Sequence, residues 1–187
     1  LKSQSAFLEG LQDRTVTVGK ETYELPAFSF AIATMNPVEL GQGTFPLSEA
    51  ATDRFAMMVN IGYLSPEEET KLVSFDFKRV RLNPLLEKER IIELRSAISE
   101  HVFLHERLAQ YIQRLVAATR PYNPETDWHH HSPSELVERG VDLGASPRAI
   151  ICWGRLAKVW ALLMGRRDEV YPEDIQDLAN YVLGHRI

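Results

Sequence analysis

The hydrophobic pattern of this chain changes period for the last time near residue 63, and that switch limits what the chain can build. From residue 15 up to it, apolar residues mostly alternate or run together, as in strands; after it they recur every three or four positions, as on one face of a helix. Residues 15–18 and 22–25 are β-prone runs separated by Gly19-Lys20-Glu21, turn chemistry that favours a hairpin, which Pro26 ends. Residues 28–34 (FSFAIAT) are apolar almost throughout, as in a central strand covered on both faces, and stop at Asn36-Pro37. A second buried strand is expected over residues 55–62 (FAMMVNIG). Residues 3–12 read as a short amphipathic helix with Phe7, Leu8 and Leu11 on one side. Gly41 and Gly43 make a flexible loop, and Pro46 can open a short helix that runs through Arg54.

Beyond the switch the chain predicts helices joined by loops. Ser65-Pro66-Glu67-Glu68 is a helix start, with a cap, proline in the first turn and acids behind it. Ile91, Leu94 and Ile98 mark one bundle helix, and Leu104, Leu108, Tyr111, Ile112 and Leu115 mark the next. Ser146-Pro147 opens a third, carrying Ile150, Trp153, Ala157, Trp160 and Met164. Pro172-Glu173-Asp174 opens a fourth, carrying Ile175, Leu178 and Val182. Four amphipathic helices need one another to bury their apolar faces, so a small bundle is expected. Residues 121–134 are polar and aperiodic and read as a loop. The expected division is an α/β part over 1–64, a hinge and linker over 65–85, and an all-α part over 86–187.

An apolar share of 44% with 25% charged residues is the balance of a globular protein with a packed core. The net charge of -5 gives no general attraction to a polyphosphate backbone, which disfavours a DNA-reading helical domain. The single cysteine, Cys152, excludes an internal disulfide and fits a reducing compartment, so a cytoplasmic location is expected; its apolar helical setting is that of a core thiol. No apolar run approaches the roughly 18 residues that suggest a membrane span. His129, His130 and His131 are metal-capable imidazoles, but adjacent residues rarely converge on one ion. They are read as a solvent-exposed loop, with no metal site expected.

The order of these pieces, with the strings ATMNP, GTFPLSEAATDRF and LGASPRA, resembles the MoxR family of AAA+ ATPases, relatives of the magnesium-chelatase ATPase subunit. The likeness extends to KSQSAFLEGLQDRTVTV at the start and VYPEDIQDLANYVLGHRI at the end. It implies the C-terminal part of an AAA+ P-loop NTPase core followed by a helical lid. It also implies ATP and Mg2+ at subunit boundaries of a homo-oligomeric, usually hexameric ring. Implied too is chaperone-like remodelling or maturation of protein complexes, with clients that bear von Willebrand factor A domains.

Three residues match the family's functional positions. Asn36 matches sensor 1, where a carboxamide at a strand end can orient the attacking water and contact the terminal phosphate; position alone favours an ordinary Asn-Pro turn residue, and only the surrounding family pattern reverses that. Arg54 matches the arginine finger, whose planar fork neutralises charge on the transferred phosphoryl group of a neighbouring subunit. By spacing alone, a salt bridge to Asp53 or Glu49 serves as well. Arg148 matches sensor 2 and lies in the first turn of a helix, where a cation faces the positive end of the dipole. That placement becomes favourable with an anion such as a phosphate at the helix end, and is otherwise a solvated arginine tolerated at small cost. Ser48 and Ala51 stand where the family usually has proline and a larger side chain, which alters the packing expected around the finger.

No GxxxxGK followed by Ser or Thr occurs in the 187 residues, and no acidic strand end of the Walker B kind precedes Lys2. In the family both lie just N-terminal to the segment matched here, so a truncated chain that turns over no ATP alone is expected. Residues 28–34 and 55–62 would then have bare strand edges. The competing reading is a non-catalytic protein-interaction module derived from such a lid.

Overall fold

The structure, a computed structural model, describes residues 10, 13–35, 48–121, 134–141, 144–166 and 168–187. The predicted helix over 3–12 falls almost wholly outside these residues, as do Asn36 and the His129 to His131 loop.

The expected hairpin is present. Strand β1 (Thr15–Val18) pairs antiparallel with β2 (Glu21–Glu24), Val18 opposite Glu21 and Thr15 opposite Glu24. Gly19 takes a φ of 70° at the first of the two loop residues, a conformation that glycine adopts without steric cost. Arg14 Nη2 closes the base of the hairpin by donating to the carbonyls of Pro26 and Ala27 at 2.6 and 2.7 Å.

The two predicted central strands do not form. Residues 29–35 and 57–65 adopt no regular secondary structure. Phe30 is 78% and Ile61 91% exposed. Among the described residues no strand lies beside either segment, and a strand needs a neighbour to satisfy its backbone N–H and C=O groups. The apolar pattern survives without the partners that would make it a sheet.

The helical half follows the expected starts. After α1 (Glu49–Thr52) comes α2 (Pro66–Leu72), with Ser65 as cap. The Ser65 hydroxyl accepts from the Glu68 amide at 3.3 Å, and the Glu68 carboxylate accepts from the Ser65 amide at 3.1 Å. A 3-10 turn (Phe77–Arg79) leads to α3 (Lys88–His101), α4 (Glu106–Ala118), α5 (Glu135–Gly140), α6 (Pro147–Leu163) and α7 (Pro172–Leu183). Sequence reading missed α5, because six residues with none buried carry no readable period.

Helix α6 is the hub, packed on α3, α4 and α7. Its small residues Ala149, Ala157 and Ala161 are fully buried and let neighbouring helices approach, while Trp153 fills the centre. The Trp153 indole N–H donates to the Ile175 carbonyl at 3.0 Å, so this bulky ring leaves no polar atom unsatisfied. Ile112, Val116, Ile175, Leu178 and Val182 complete the core. Most of the predicted apolar face residues therefore meet in this core; Ile91, Leu94 and the half-exposed Met164, predicted with them, lie outside it. Cys152 is half-buried on α6. Among the described residues no helix is long and apolar enough to cross a membrane.

Candidate functional site

The site grows from the turn after α1. Ser48 accepts from the amides of Ala51 and Thr52 at 2.7 and 3.0 Å, starting a helix of one turn. Ala51 is buried, which presses that turn inward and sends Asp53 and Arg54 out along its end. The Arg54 guanidinium folds back to the Ala50 carbonyl. Asp53 turns toward the helical half, across more than ninety residues of sequence.

Five groups of the lid meet Asp53 and its neighbours. The Ser146 hydroxyl donates to Asp53 Oδ2 at 2.6 Å. Arg148 Nη1 lies 3.5 Å from the same oxygen. Arg186 Nε donates to Asp53 Oδ1 at 3.0 Å, and its Nη2 donates to the carbonyls of Asp53 and Phe55 at 3.1 and 2.5 Å. His185 Nε2 meets the Phe55 carbonyl at 3.1 Å, and the Met58 amide donates to the Tyr181 carbonyl at 2.8 Å. The end of α1 is thus laced to both the N-terminus of α6 and the C-terminus of α7.

Burial makes the pairing costly to disturb. The Arg186 side chain is 1% exposed and that of Asp53 15%. Removing one partner of such a pair leaves an uncompensated buried charge, at a cost of about 3–5 kcal/mol. Burial pushes the Asp53 carboxyl up, but hydrogen bonds from Ser146 and Arg186, the Arg186 charge and the Arg148 contact outweigh it and hold the carboxyl below its usual range. Burial and the neighbouring Arg186 charge push His185 the other way for an imidazole, toward the neutral form, against the pull of the Phe55 carbonyl and Asp53. Among the described residues its Nδ1 is buried with no hydrogen-bond partner.

Arg148 stands where expected, in the first turn of α6, with nearly half of its side chain exposed. The anion beside it here is the Asp53 carboxylate, which offsets the unfavourable helix-dipole position. At this helix end Pro147 has no backbone donor, the Arg148 amide bonds Ser146 Oγ at 3.1 Å, and the Ala149 amide bonds the Ser146 carbonyl at 3.0 Å. A phosphate at this position would therefore meet the guanidinium rather than those amides. Two of the three sequence-predicted residues, Arg54 and Arg148, are brought to one seam through Asp53. Asn36 lies outside the described residues. Among those residues no group of three His, Cys, Asp or Glu side chains is placed to hold a metal ion.

Sequence reading missed Arg186 and His185, and took Ser146 only as a helix cap. An arginine just past a helix C-terminus reads as a solvated cation complementing the dipole. Its position gave no hint of a partner 133 residues away.

Comparison with known proteins adds the family. Residues 1–57, which include Asn36 and Arg54, match the ATPase family associated with various cellular activities (AAA). Residues 134–187, which include Arg148, match the AAA lid domain. The whole chain is 36% identical to the Chaperone MoxR1 of Mycobacterium tuberculosis, of which it covers 47%. It is 29% identical to the Protein MoxR of Methylorubrum extorquens over 97% of the chain and 53% of that protein. A crystal structure of a candidate ATPase from Cytophaga hutchinsonii superposes with a TM-score of 0.76 at 36% identity, covering all of this chain and 54% of that one. The chain spans about half the length of the curated relatives it matches. With the AAA match over residues 1–57, the AAA-lid match over residues 134–187 and MoxR relatives similar along the whole chain, the chain belongs to the MoxR-type AAA+ ATPases, as a partial core with its helical lid.

Proposed function

We propose that this chain supplies the sensor and arginine-finger half of a MoxR-type ATPase that couples ATP binding and hydrolysis to chaperone-like remodelling of protein complexes. The observation that carries the reading is the Asp53 cluster, in which the residue beside Arg54 is bonded to the cap of the helix that bears Arg148. Contact of Arg148 with a phosphate would compete with Asp53 for the same guanidinium, so nucleotide state at the lid would be felt next to the finger. In this reading Arg148 and Asn36 contact the phosphates of one nucleotide. Arg54 reaches the nucleotide of the neighbouring subunit in a ring. The phosphate-binding loop and the Mg2+ ligands come from sequence that these 187 residues do not contain. Residues 65–85 act as the hinge between core and lid. The chaperone role is supported by the name of the Mycobacterium tuberculosis relative.

The test is ATP turnover by this chain mixed with a matching full-length subunit, comparing native Arg54 with Arg54→Ala in both proteins. A fall of about 10³-fold or more with assembly intact is expected for a finger acting across a boundary. Unchanged turnover would reduce Arg54 to a surface ion-pair residue and favour a non-catalytic interaction module.

A further inference from the structure

We propose that Arg186 is a positioning residue for Arg54, so that the C-terminal end of α7 sets where the arginine finger points. The inference rests on the finger reading above and adds to it a residue outside the nucleotide site.

Arg186 brackets Arg54. One guanidinium holds the side chain and carbonyl of Asp53 on one side and the carbonyl of Phe55 on the other, at 3.0, 3.1 and 2.5 Å. Its remaining nitrogen donates to the Val182 carbonyl of its own helix, which ties the fork to α7. A planar fork with several donors in fixed directions determines both the position and the tilt of the backbone it binds.

The bracketed segment has little rigidity of its own. Helix α1 is four residues long, too short to hold itself by its own backbone bonds. Its end is held from the other side of the molecule, by Arg186, by His185 on the Phe55 carbonyl and by the Tyr181 carbonyl on the Met58 amide. Helix α7, by contrast, is anchored by fully buried Ile175 and Val182 and by nearly buried Leu178. The geometry of residues 53–55 is thus imposed by the lid, and displacement of α7 is carried to the backbone of Arg54. Arg186 touches no reacting atom in this scheme; it acts through the finger.

The experiment is a double-mutant cycle in the matching full-length subunit, with kcat, KM for ATP and ring assembly measured for Arg54→Ala, Arg186→Lys and both together. Lysine keeps the charge and loses the fork. Arg186→Lys is expected to lower kcat about 10²-fold, the effect of a small misplacement of a reacting group, with KM and assembly unchanged. In the double variant kcat should equal that of Arg54→Ala alone within about twofold, because there is no finger left to misplace. Independent losses that multiply, or a rise in KM with kcat kept, would overturn the positioning role while leaving the finger intact. Unchanged turnover in Arg54→Ala would instead remove the finger reading, and this inference with it.

Should Arg186→Lys fail to fold, Asp53→Asn, which keeps the shape and removes the charge, enters the same cycle with the same expectations for kcat in the single and double variants; its KM is not a readout, because Asp53 also meets Arg148. In the isolated chain, Arg186→Lys should also speed amide exchange at Met58 at least about tenfold while leaving Ile112 in the core unchanged, a local opening distinct from global unfolding. Equal loss of protection at both positions would make Arg186 a general stabilising residue.

Discussion

Asp53 and His185 are the two titratable side chains at the seam, and both respond to acid in the same sense. Asp53 has its carboxyl held below the ordinary 3.8, so its stabilising contribution is complete above that value and is lost as pH falls through the lower folded one. His185 is depressed from 6.5, so the folded state resists its protonation; its contribution is complete above 6.5 and likewise fades as pH falls through the folded value. Acidification from neutral should therefore loosen the seam in two stages, His185 first. Thermal melting of native protein and of His185→Gln between pH 7 and 5 checks this: the melting temperature should fall in the native protein and much less in the variant. Identical slopes would assign the acid sensitivity to other groups. None of this was legible from residue types. Asp53 could be named in advance only as a possible ion-pair partner for Arg54, because a side chain's long-range partners depend on packing.

At the scale of elements, the helix starts were the most readable features. Ser65-Pro66, Ser146-Pro147 and Pro172 begin helices as expected, since capping is a local matter of one hydroxyl or carboxylate and the amides two or three residues on. The junction between α4 and α6 was less readable and depends on Gly144. It has a φ of 67°, and a Cβ there would stand 2.4 Å from the Thr119 carbonyl oxygen and 2.8 Å from Arg120 Cα. Both obstacles are backbone, so they cannot rotate aside. The Thr119 hydroxyl also accepts from the Ala145 amide at 3.0 Å, which holds the two helix ends close. Gly144→Ala should destabilise the lid by about 1–3 kcal/mol from the backbone conformation alone, with the clash added to it. Chemical denaturation measures this, and a change below about 0.5 kcal/mol would mean that the junction relaxes.

Over the whole molecule, the hydrophobic core lies in the helical half, drawn from Val102 to Val182, whereas residues 57–86 expose Ile61, Tyr63, Val73, Leu82 and Leu85. Limited proteolysis should cut first within 57–86 and leave a fragment from about residue 86 to 187. Degradation of that fragment before the first 62 residues would contradict a lid that holds itself together. The seam at Asp53 ties part of the N-terminal segment to this stable body, so residues 48–56 should outlast those that follow them. The sequence by itself determined the four bundle helices, the start of α2, the hairpin and the family, because each depends on local spacing or on ordered motifs. Only the tertiary structure decided that, among the described residues, 28–34 and 55–62 form no strand at all rather than strands with bare edges, since strands exist only beside other strands. Tertiary structure alone also brought Arg186 to Asp53: a buried ion pair between residues 133 apart is set by how α7 packs, and no local pattern encodes it.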